Sequence, residues 1–206
     1  MFIEVSLIFQ LVILLFSVVI HEVSHGLAAL YLGDDTAEKM GRLTLNPIKH
    51  LDPIGSVLLP LMLVLMKSGF IFGWAKPVPY NPLNLKMPRR DSAILAFAGP
   101  MSNFCLAIIF GLVIRIVIIT SSFVVLLPFL MFIVWINLIL GVFNLLPIPP
   151  LDGSKILFYF FPSRKLEIFL HQFGIIFLFL FIMLGGAIIL PIIYLFFSIL
   201  TGIPLG

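Results

Sequence analysis

His21, Glu22 and His25 are three ionisable side chains inside an apolar run that spans residues 5–32. A charge at mid-membrane costs roughly 2.5 to 3.5 kcal/mol on insertion scales, so such groups need partners. A helix advances about 100° per residue, which puts His21 and His25 on nearly the same side, one turn apart, with Glu22 on the flank. Two imidazoles on one face beside a carboxylate suit two zinc ligands and a general base. A pair of buried histidines bonded only to backbone carbonyls would leave Glu22 between them unexplained. Catalytic zinc usually keeps three protein donors and an open position, so a third donor must come from elsewhere. The candidates are Asp152, Asp52, His50 and His171. Asp152 follows a proline-broken helix end in apolar surroundings and is the costliest to leave unpaired. Asp52, before Pro53, reads as a cap or turn residue. His50 reads as interfacial, and His171 as packing or interfacial.

The elements that must position these groups are membrane spans. Of the 206 residues, 62% are hydrophobic and 10% charged, against about 25% charged in soluble domains. The chain is an all-α polytopic membrane protein by this reading. Its net charge of +3 comes from loops and reads as an orientation signal, with no nucleic-acid partner implied. The single cysteine, Cys105, excludes an internal disulfide and a cysteine-based metal cluster, and reads as a small packing residue. The start lacks a basic n-region and its apolar run is too long for a signal peptide, so the first helix is expected to be a retained span.

About five full spans are expected, near residues 5–32, 92–120, 123–146, 166–184 and 187–201, in one domain of residues 1–206. The catalytic core would occupy about 5–160, and the C-terminal helices about 166–203. Gly33 should stop the first helix. Residues 42–46 alternate and carry β-formers, so a short strand is expected there, with a second extended segment at 75–85. Prolines 77, 79 and 82 exclude helix, and Trp74 and Tyr80 would anchor at an interface. Ala98, Gly99 and Ser102 permit close helix contact. Arg115, near the outer end of its span, is expected to snorkel.

Residues 53–72 are ambiguous, and parity decides their expected topology. Lys and Arg in loops 73–91 and 147–165 put both loops in the cytoplasm. The first helix carries its histidines near its C-terminal end and must run inward from an extracytoplasmic N-terminus. Residues 33–52 and 73–91 then share a side, so the element between them crosses an even number of times. A re-entrant hairpin is expected, helical to Met66 and returning through Phe70 to Pro79.

Three motifs occur in order: His21-Glu22-Val23-Ser24-His25, Ala98-Gly99-Pro100, and Asn144-x-x-Pro147 leading to Leu151-Asp152-Gly153. Together they resemble the site-2 protease family of intramembrane zinc metalloproteases, in a compact form without PDZ or CBS modules. The resemblance implies His21, His25 and Asp152 as ligands of one zinc ion per chain, with Glu22 as catalytic base. It also implies that Asn144 helps hold substrate or the oxyanion. Asn103 is a further candidate for that role, interhelical hydrogen bonding being the plainer one for both. The expected activity is hydrolysis of peptide bonds in or near transmembrane segments of membrane-protein substrates, at the cytoplasmic side of the cell membrane. A zinc transporter using the same histidines is the first alternative, although the other spans offer few ligands for a relay. A non-catalytic membrane scaffold is the second.

Overall fold

The computed structural model describes residues 6–66 and 76–204. Helix α1 (Leu7–Tyr31) begins where the Ser6 hydroxyl accepts the Phe9 N–H at 3.3 Å. It ends just before Gly33, whose φ of +103° favours a residue without Cβ. Then come α2 (Thr36–Lys39), a 3₁₀ turn at Pro47–His50, a wide π-type turn at Pro53–Leu58, and α3 (Leu59–Leu65). Residues 76–81 form an extended strap leading to a 3₁₀ turn at Pro82–Asn84. After it come α4 (Pro88–Thr120), α5 (Leu127–Asn144), α6 (Asp152–Phe160), α7 (Arg164–Leu184) and α8 (Gly186–Thr201).

Helix α4 is the central element and packs against α1, α5, α6 and α8. Lipid tails are as apolar as leucine, so close packing and interhelical hydrogen bonds must hold these contacts. Glycines permit them: a Cβ on Gly111 would come within 2.9 Å of Leu200, and one on Gly141 within 2.9 Å of Phe104. Ala107, Ile114, Val134, Leu138, Ile193 and Phe197 form the buried core of α4, α5 and α8. Trp135 packs over Tyr194 with ring centroids 5.2 Å apart. Large apolar residues such as Ile8, Ile119, Phe179 and Leu195 face outward, as lipid-facing surface should.

Four helices have the length and apolarity to span a membrane, fewer than the five expected: α1, α4, the segment Val124–Asn144 that contains α5, and α7. Helix α8 has 16 residues. At about 1.5 Å per residue it falls short of a hydrocarbon core of about 30 Å. The expected strands are absent among the described residues. In 42–46 the polar groups serve turns instead: Thr44 Oγ1 accepts the Asn46 N–H, and the Thr44 carbonyl accepts from His50 Nε2. The strap is extended, yet Pro77 and Pro79 have no N–H to give a ladder. In place of the expected hairpin, the described part of 53–72 is the wide turn followed by the seven-residue α3. The expected return limb, including Trp74, falls largely in 67–75, outside the described residues. Arg115, exposed, has its Nε donating to the Leu200 carbonyl at 2.8 Å, capping the C-terminal end of α8.

Candidate active site

Three elements meet at the candidate site. Helix α1 supplies His21, Glu22 and His25, α4 forms the wall behind them, and α6 begins at Asp152. The Asp152 Oδ2 atom lies 3.1 Å from both His21 Nε2 and His25 Nε2, and the two ring nitrogens are 3.0 Å apart. All three side chains are nearly buried.

The opposite edge of each imidazole decides what those atoms can do. His25 Nδ1 donates to the Leu95 carbonyl at 2.7 Å, and His21 Nδ1 donates to Asn103 Oδ1 at 2.6 Å. With each Nδ1 carrying the proton, both Nε2 atoms present lone pairs. Two lone pairs and a carboxylate oxygen in one small triangle require a cation among them. The space is also reserved by backbone: a Cβ on Gly99 would come within 2.5 Å of His21 Nε2 and His25 Nε2. Gly153 plays the same part for α6, since its Cβ would fall 2.1 Å from the Leu145 carbonyl. The residues therefore fit a divalent metal with two nitrogen donors and one carboxylate.

Asn103 lies wholly buried behind His21. Its amide donates to Asn137 Oδ1 at 2.9 Å, and Asn137 Nδ2 donates to Ser17 Oγ at 3.0 Å. Asn144 lines the pocket in front of the ligands, with one N–H given to the Leu140 carbonyl at 2.9 Å. That pocket, about 210 Å³, also includes Glu22, Val78, Tyr80 and Lys155. The other candidate donors lie elsewhere. Asp52 Oδ1 caps the turn at Ile54 and Gly55, His50 Nε2 is bonded to Thr44, and His171 packs on Phe158.

The strap covers Glu22 and was not anticipated in this role. The Val78 N–H donates to Glu22 Oε2 at 2.8 Å, and Val78 is the only donor in Pro77-Val78-Pro79. Asp34, fully buried, fixes the strap by accepting from the Asn81 N–H and the Asn84 amide, each at 2.7 Å. Burial opposes its ionisation, but Thr36, Asn81 and Asn84 hold the Asp34 carboxyl below the usual range. Arg42 Nη2 donates to the Lys76 carbonyl at 2.8 Å. Gly26 lets these pieces approach α1, since a Cβ there would meet Leu43 at 2.4 Å and Val78 at 2.9 Å. The doubled proline around a single N–H was a readable signal for Val78; nothing in the sequence singled out Asp34, Asn137 or Ser17.

A multi-pass helical bundle with a buried two-histidine, one-carboxylate cluster and an adjoining glutamate defines a membrane-embedded metallohydrolase. The comparisons with known proteins narrow that class. The model of peptidase family M50 matches residues 112–185. YwhC of Bacillus subtilis, which bears a zinc metalloprotease name, is 42% identical over 156 residues, covering 72% of this chain and 67% of that protein. Rip2 of Mycolicibacterium smegmatis, similarly named, is 32% identical over 145 residues, covering 68% of this chain and 52% of Rip2. Rip2 of Mycobacterium tuberculosis is 31% identical over 139 residues, again with 68% and 52% covered. The chain thus spans about half the length of the Rip2 proteins. No solved structure matches it. The chain belongs to peptidase family M50, the site-2 protease family, and is a zinc metalloprotease.

Proposed function

We propose that this protease hydrolyses peptide bonds in or beside transmembrane segments of membrane proteins. The carrying observation is the triangle of His21, His25 and Asp152 donors, none more than 3.1 Å from another, with Glu22 in the same pocket of a lipid-facing bundle. His21, His25 and Asp152 hold one zinc ion per chain. Bound there, zinc supplies Lewis acidity, bringing the pKa of water towards about 7 and polarising a carbonyl.

Glu22 acts as the base. Its Oε2 is held by the Val78 N–H, which leaves Oε1 to take the proton of the attacking water and return it to the leaving amine. Asn144 keeps a second amide N–H for the oxyanion or the substrate backbone. Asn103 acts from behind, fixing the tautomer and orientation of His21 rather than touching substrate. A helical substrate must open before attack because its carbonyls are bonded internally.

The site faces the cytoplasm, and the N-terminus lies outside. Supporting this, Arg89 at the start of α4 and Glu167 at the start of α7 form an ion pair at 3.1 Å, which gathers the basic loops at one end. Asp34 accepts from the Asn81 N–H, the His50 carbonyl accepts from the Lys76 N–H, and Arg42 Nη2 donates to the Lys76 carbonyl, which keeps residues 34–50 and 76–84 together at the same end of the bundle. Against zinc transport, the triad is the only cluster of potential metal ligands among the described residues.

Purified Glu22→Gln protein should retain its zinc and cleave a single-span substrate roughly 10²- to 10⁴-fold more slowly. Cleavage at the native rate by that variant would refute the assigned base.

A further inference from the structure

A second cavity adjoins the metal-side pocket. It measures about 400 Å³ and lies between the α6 and α7 faces, walled by Pro149, Pro150, Phe158, His171 and Ile175. It shares Tyr80, Pro150 and Lys155 with the pocket that holds the ligands. Lys155 links the two spaces: its Nζ lies 3.6 Å from Asp152 Oδ1 and 5.4 Å from the Tyr80 ring centroid. The far wall rests on backbone. A Cβ on Gly174 would fall 2.4 Å from the Pro149 carbonyl, so α7 sits directly on the proline loop. The rings of Phe158 and His171, with centroids 5.5 Å apart, line the same space.

We propose that this cavity is a specificity subsite for one bulky apolar or aromatic side chain of the bound peptide, next to the scissile bond, with Tyr80 and Lys155 at its threshold. The inference rests on the peptidase reading. An opened peptide alternates its side chains and advances about 3.3 Å per residue, so a backbone engaged at the ligands brings a neighbouring side chain to the threshold. Aromatic and aliphatic walls suit the residues that make up a membrane span. The ammonium of Lys155 at the neck suits a peptide carbonyl, which an unwound segment exposes. A third cavity also reaches Tyr80 and Lys155, but Arg89, Ser92 and Glu167 line it, making it a poor receptor for an apolar side chain.

Zinc-loaded Glu22→Gln protein in detergent, titrated with fluorescent peptides carrying one Phe walked through an Ala background, tests this by anisotropy. Phe should tighten binding tenfold or more at one position only, a hydrophobic pocket discriminating by roughly 10- to 200-fold. Adding Ile175→Trp, which fills the cavity, should erase that gain. Adding Phe158→Ala, which enlarges it, should shift the preference from Phe to Trp at the same position. A gain that survives both changes unaltered overturns the proposal, as does an equal gain at every position. Displacement of the peptide's advantage by added phospholipid alone would make the cavity a lipid site and overturn it too. Because binding is read on an inactivated site, failure of the wild type to hydrolyse a bound peptide would count against the peptidase reading and not against the subsite.

Discussion

The ligand cradle and the apolar core share helices α4 and α5 yet are built on opposite terms. Behind the cradle, Ser17, Asn103 and Asn137 satisfy one another and hold His21. In the core, Leu138 and Phe197 have no polar atom to satisfy and are held by shape alone. A polar group in lipid that loses its partner finds no water to replace it. Lost packing in lipid is a smaller matter, because acyl chains are nearly as good a solvent as protein. The cradle should therefore fail by losing metal while the bundle stays folded. The core should fail by losing stability while the metal site keeps its affinity.

Gly99→Ala should separate the two most sharply. Its methyl group would enter the space between the imidazoles, and zinc affinity, measured by chelator competition, should fall beyond the roughly 10- to 100-fold seen for a lost outer partner. Helix content and melting temperature of the metal-free protein should change little. Asn103→Leu should cost roughly 10- to 100-fold in zinc affinity by releasing His21 Nδ1, and a native affinity would show that Asn103 does not orient the ligand. Phe197→Ala should reverse the pattern, lowering stability by about 3 kcal/mol with zinc affinity retained. That figure is the low end for such a change, since lipid softens the transfer cost. Asp34 gives the smallest and most conditional effect. Its carboxyl is held below its usual range in the fold, so its contribution is complete above the unfolded value of about 3.9 and fades as pH falls through the lower folded value. The melting-temperature gap between wild type and Asp34→Asn should accordingly be constant near neutrality and narrow on acidification; a gap that widens would contradict the bonding at Asp34.

Hydropathy made the long spans legible because lipid imposes a minimum length on any helix that crosses it. It overstated α8, whose run between Gly186 and Gly202 is apolar but short. The strand expectation at 42–46 failed because alternation reports compatibility with a sheet, whereas Thr44, Asn46 and His50 found turn partners nearby. The spacing of His21, Glu22 and His25 conveyed a metal site by itself, since four residues make one helical turn. Asp152 could be favoured by its isolation in apolar sequence, and the interhelical bonding that was the plainer expectation for Asn103 is seen in its bond to Asn137, whereas its place behind His21 was not legible.

By itself, then, the amino-acid order determined that the chain lies in a membrane and that one helix turn presents two imidazoles beside a carboxylate. These follow from local periodicity and from the cost of charge in lipid. Only the tertiary structure decided that Gly99 clears space for an ion, that Asn103 stands behind His21, and that Asp34 ties down the strap bonded to Glu22. Those facts depend on which residues far apart in sequence become neighbours, and packing alone settles that.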